Sequence, residues 1–94
     1  NNEFDEKVKK ELYSGLCIVE KIYLDVMKAY YTQNYELAFN VDLEKDNIIN
    51  DFNKLFDKYP ITGIARISER LKKMVSSIGY IARIIYSDGM KRKI

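Results

Sequence analysis

The sequence predicts an all-α fold, an antiparallel up-down-up bundle of three helices filling residues 1–94 as one domain. Three observations carry that prediction. The first is a run of apolar residues, Ile64, Ile67, Leu71, Met74, Ile78, Ile81 and Ile85, whose gaps alternate 3, 4, 3, 4, 3, 4. That is the period of one helix face and not of a strand. The second is the scarcity of helix breakers, with one proline and four glycines in 94 residues. The third is that the two interruptions are short, and short loops turn neighbouring helices antiparallel.

Helix 1 is predicted over 3–32. Its apolar residues Phe4, Val8, Leu12, Leu16, Val19, Tyr23, Val26 and Tyr30 recur in steps of three or four. Gly15 interrupts them at a cost of about 1 kcal/mol in helix propensity, which a close approach of another helix would justify. Cys17 reads as a small apolar filler beside this row. Thr32-Gln33-Asn34 is the first break, with Asn34 placed to accept a free backbone N–H at the start of helix 2. The residues Tyr30, Tyr31 and Tyr35 around it are expected to cap the core.

Helix 2 is predicted over 35–58, with Leu37, Ala38, Val41, Ile48, Phe52, Leu55, Phe56 and Tyr59 inward. Its apolar row has a gap, because Glu44 and Lys45 occupy the inward positions between Val41 and Ile48. Pro60 then restricts the residue before it and ends the helix. Helix 3 is predicted over 62–87, beginning at Thr62 or Tyr59. Beside its apolar row runs a line of smaller residues, Ala65, Ser68, Val75, Gly79 and Ala82, so it should pack on two sides. Gly89 reads as a left-handed helix terminus, followed by a basic tail.

Composition narrows the chemistry. Hydrophobic residues make up 47% and charged residues 32%, a globular balance. Histidine is absent and Cys17 is the only cysteine. That removes internal disulfides, Cys/His zinc sites and histidine-based triads. No phosphate-binding glycine loop is present. The lone cysteine and the lack of a charged-then-apolar leader predict a reducing, cytoplasmic setting, and no apolar run reaches membrane-spanning length. Residues 1–59 carry 8 basic and 12 acidic side chains, whereas residues 60–94 carry 8 basic and 2 acidic. The last third can therefore meet an acidic partner.

Two sets of charged residues are candidates. Asp42, Asp46 and Asp51 lie on the acidic middle of helix 2. Asp42 and Asp46 stand one turn apart, a spacing that can share a hard cation, although such ions want about six oxygens. They would be the carboxylates of a metal-dependent hydrolase. A solvated helix face explains them more simply. Arg66, Arg70, Lys73 and Arg83 lie mostly off the apolar row of helix 3. They are candidates for an acidic protein partner or, as the alternative, for nucleic acid.

Two segments resemble the PhoU family, regulators linked to phosphate uptake. Asn34-Tyr35-Glu36-Leu37-Ala38, followed by Val41 and Ile48, is similar to the family's D-x-E-L-A-x-x-V opening of a second helix. The run ISERLKKMVSSIGYIAR over 67–83 is similar to its third-helix pattern, agreeing in kind at Ile67, Leu71, Lys73, Met74, Ile81 and Ala82. Tyr86 and Gly89 stand near a family aromatic and glycine. The likeness spans about residues 12–89, one repeat. It implies a three-helix repeat and a non-catalytic regulatory role, exercised as an oligomer or with a helical partner. It does not carry over the family's metal cluster. The third-helix glutamate and aspartate are replaced by Lys72 and Ser76, and the asparagine and glutamate by Tyr80 and Arg83. The helix 2 pair falls on Lys45 or Asp46 and on Ile49 or Asn50. A charged lysine repels a cation and cannot ligate it, so no cofactor is expected.

Overall fold

The computed structural model describes residues 6–59 and 62–93, with side chains as far as Gly89. Three helices account for nearly all of them: α1 over Glu6–Thr32, α2 over Tyr35–Phe56 and α3 over Thr62–Lys93. No strand occurs among the described residues. All three helices touch one another, most extensively α2 and α3. Expectations on Phe4, on Pro60 and on the side chains of the basic tail lie outside the described residues.

The first loop forms as its sequence demands. Gln33 adopts a left-handed backbone, φ 56°, and the Asn34 N–H returns to the Ala29 carbonyl at 3.0 Å. This closes α1 with the six-to-one bond of a Schellman turn. Asn34 then caps α2, its Oδ1 accepting from the Leu37 N–H at 3.1 Å. One residue therefore ends one helix and begins the next.

α2 stops at Phe56, two residues before the predicted end. The Tyr59 Oη donates to Glu11 at 2.7 Å, and Lys58 lies 3.5 Å from the same carboxylate. α3 begins at Thr62 and overruns its predicted end, passing through Gly89 without a left-handed residue. Gly89 is small for a packing reason instead. A Cβ there would run into the Tyr35 ring.

The core is built from Val26, Phe52, Phe56, Ile64, Leu71 and Val75, its largest fully buried side chains. Each contributes on the order of 2 kcal/mol by leaving water. Gly15 lies where the three helices meet, and a Cβ there would stand 3.3 Å from Leu71 and 3.5 Å from Phe56. The close approach expected at Gly15 is present.

The apolar rows of α1 and α3 are corrected in one respect. Leu16, Tyr23 and Tyr30 were expected inward, but the buried positions are Gly15, Ile22 and Ala29, each one residue earlier. On α3, Met74 and Ile81 were expected inward, and the fully buried positions are Val75 and Ala82, each one residue later. The helices come together over small residues, which leaves the larger neighbours on the flank. Cys17 is also exposed rather than a core filler. Tyr30 and Tyr31 are exposed and meet edge-to-face at 5.3 Å, so of the three tyrosines only Tyr35 is partly buried.

Candidate functional site

The displaced side chains meet in one place. Leu16, Val19 and Tyr23 from α1, with Met74, Ile78 and Ile81 from α3, line a groove of about 660 Å³ between the two helices. Leu16 is 52% exposed, Tyr23 49%, Met74 48% and Ile81 41%. Four large apolar side chains half open to water along one groove form a contiguous patch, and such patches mark binding surfaces. The groove is continued toward the end of α1 by a smaller hollow lined by Tyr30, Tyr31, Ile84 and Asp88. The apolar side chains of each wall recur at helical spacing, Leu16, Val19 and Tyr23 on α1 and Met74, Ile78 and Ile81 on α3.

Its rim is charged. Glu20 stands on the α1 side, and Arg70, Lys73 and Ser77 on the α3 side. Arg66, Arg70 and Lys73 also share a shallow hollow around the first turns of α3. All three are exposed. None of them, nor Glu20, makes an ion pair among the described residues. Beyond Glu20 lies Tyr13, whose hydroxyl is pushed up from its ordinary pKa by a hydrogen bond with Cys17.

Arg83, the fourth predicted basic residue, lies elsewhere. It faces α2 and holds Asp42, donating from Nε to Oδ2 at 3.3 Å and from Nη2 to Oδ1 at 3.5 Å. Lys45 donates to Oδ1 at 2.8 Å and the Tyr86 hydroxyl to Oδ2 at 2.7 Å. Burial alone would raise the Asp42 carboxyl, but the hydrogen bonds from Lys45, Tyr86 and Arg83 outweigh it and hold the pKa at about 2. In return, Asp42 raises both the Tyr86 hydroxyl and the Arg83 guanidinium from their ordinary values.

This cluster accounts for Asp42. A carboxylate has about four acceptor positions, and four donor atoms approach those of Asp42. Asp46 and Asp51 are exposed on α2. Among the described residues no group of three histidine, cysteine, aspartate or glutamate side chains is placed to hold a metal. Asp42 is a structural anchor, and the gap in the α2 apolar row is its counterpart. Lys45 fills the inward position, and its methylenes rest on Gly79, where a Cβ would find no room.

Sequence reasoning missed this lock. Two signals could have found it: the basic residue in the apolar gap of α2, and the Arg83–Tyr86 spacing of three on α3, which places both donors on one face. No protein-family model, curated protein or solved structure matches the chain. No helix among the described residues is long and apolar enough to cross a membrane.

Proposed function

We propose that this chain is a non-catalytic helical module that acts by binding protein, and that it self-associates through the α1/α3 face. The observation that carries the reading is the groove of Leu16, Tyr23, Met74 and Ile81, half open to water in an isolated chain. Covering these side chains supplies the apolar drive for association, at about 25 cal/mol per Å² removed from water.

A single PhoU-like repeat is the setting this reading favours. Its up-down-up order is supported by the pairings of Glu11 with Tyr59, Asn53 with Lys72 and Asp42 with Arg83, which join opposite ends of successive helices. Its regulatory role in phosphate uptake, and a cytoplasmic location, rest on the residue patterns alone.

The test is sedimentation equilibrium across a micromolar concentration series. The native chain is expected to dimerise. The double variant Met74→Glu, Ile81→Glu is expected to stay monomeric with unchanged helix content. A native chain that remains monomeric throughout removes self-association.

A second reading has one observation in its favour. Arg66, Arg70 and Lys73 form an exposed basic row that makes no ion pair among the described residues, the nearby Glu69 being paired with Lys72. Nucleic acid would bind such a row with a steep loss of affinity on adding salt. A gel-shift series at low salt showing no retardation disposes of it.

A further inference from the structure

The groove also constrains how two copies meet. We propose that a second copy closes the face with the two-fold axis parallel to the helices, so that α1 of each copy lies over α3 of the other. This rests on the self-association reading above and adds its geometry.

The register across the groove is fixed by the approach of Gly15 to Leu71, whose Cδ1 would lie 3.3 Å from a Cβ at Gly15. Moving one way along both helices, Leu16 comes level with the turn of Met74, Glu20 with the turn of Lys73 and Ser77, and Tyr23 with that of Ile81. The hollow holding Tyr30, Tyr31, Ile84 and Asp88 shows the two helices still adjacent about two turns further along α1. α1 and α3 thus run in the same direction with matched levels.

A two-fold parallel to the helices preserves level and exchanges the two helices. Each α1 residue then meets the residue that shares its level on α3 of the other copy. Leu16 meets the turn of Met74, Tyr23 that of Ile81, and Glu20 arrives beside Ser77 with Lys73 within one turn. The apolar rows cover each other, and each rim acid gains a cation in both halves of the symmetric interface. Arg70 arrives beside the exposed Tyr13, a cation over an aromatic face.

The antiparallel alternative sets α1 on α1 and α3 on α3 with levels reversed about the middle of the face. Glu20 then falls against the stretch around Leu24 and Met27, and Lys73 against Ile84 and Ile85. Neither rim charge then gains an opposite charge, whereas the parallel pairing supplies each with one. Charge complementarity therefore selects the parallel pairing.

Size sets the expected strength. The face from Leu16 to Tyr31 is roughly 22 Å long at about 1.5 Å per residue. Two helices about 10 Å apart make it ~20 Å wide. The flat footprint is then roughly 440 Å² per copy, below the ~800 Å² of a standard interface. The footprint fits a weak, reversible dimer and not an obligate one.

The experiment uses the full chain. Two variants are prepared, Leu16→Cys with Cys17→Ser, and Met74→Cys with Cys17→Ser. Each is treated with a mild oxidant alone and as an equal mixture. A covalent dimer that forms in the mixture and in neither variant alone is expected. In parallel, Glu20→Lys and Lys73→Glu should each weaken the sedimentation dimer about three- to tenfold, and the double variant should restore it. A native dimer that gives no mixed cross-link and no charge-swap rescue overturns the geometry and leaves self-association standing. A native chain that never dimerises overturns both.

Discussion

The two sides of α3 are built on different principles. Toward α2, the seam is fastened by polar bonds: Asp42 with Arg83 and Tyr86, and Lys72 with Asn53 at 2.7 Å. Toward α1, none of the side-chain hydrogen bonds or ion pairs joining described residues crosses the seam. That side is held by apolar contact over Gly15, Leu71 and Phe56, and its outer edge stays open. Polar locks fix one arrangement, because a buried group without its partner is costly. Apolar contact is non-directional and accepts any complementary surface. The contrast separates a polar-locked internal seam from one whose outer edge is left half open to water, the edge on which the self-association proposal rests.

The largest test of that contrast is to break the lock. Asp42→Ala leaves Arg83 and Tyr86 without their acceptor and is expected to cost about 2–3 kcal/mol. In a domain of this size the melting temperature falls by roughly 10–20 °C. Titration reports the same energy. The folded Asp42 carboxyl lies at about 2, below its ordinary value of 3.8. Its contribution is complete above the ordinary value and is lost as the pH falls toward the folded one. Native stability should therefore decline by about 2 kcal/mol between roughly pH 4 and pH 2, and the Asp42→Ala decline should be shallower. Denaturant melts at stepped pH measure both. Parallel curves for the two proteins would show that Asp42 is not the lock.

How legible each seam was in the sequence follows from its construction. Helix existence and the Asn34 cap were readable because periodicity and capping are local. The inward face was misjudged by one residue on α1 and on α3, in opposite senses. Large apolar residues dominate a sequence pattern, yet close helix approach buries the small residue beside each of them: Gly15 beside Leu16, Ala82 beside Ile81. The open groove was not legible, because the two apolar rows on α3 answer its two neighbours, α1 and α2, and do not show which large side chains stay at the edge. Arg83 could not be sorted from Arg66, Arg70 and Lys73 by charge alone. Only the pairing of α2 with α3 assigns it to Asp42. Gly89 misled for a related reason, since a glycine that opens space for Tyr35 looks in sequence like one that ends a helix.

A smaller effect probes the core between the two seams. Ser68 is buried on α3 with a hydroxyl oxygen that finds no hydrogen-bond partner. A buried unpaired hydroxyl costs about 1–3 kcal/mol against an apolar group of the same shape. Ser68→Ala should thus raise stability by about 1 kcal/mol in denaturant unfolding. Destabilisation by the same amount would mean that the hydroxyl is satisfied in solution.

The smallest expected change in the fold itself comes from the open face. Met74 and Ile81 are 48% and 41% exposed, so charging them removes little burial from a single chain. Met74→Glu with Ile81→Glu should shift the unfolding free energy of the dilute monomer by no more than about 0.5 kcal/mol per site. The informative quantity is concentration dependence. On the self-association proposal only folded chains pair, so the native melting temperature is expected to rise with protein concentration. The charged variant should show a flat line over the same series. If both proteins melt independently of concentration, the α1 side of α3 is as finished as the α2 side. If the variant unfolds even when dilute, those side chains carry the internal seam as well as the face, and the division between the two sides of α3 is less sharp than their bonding suggests.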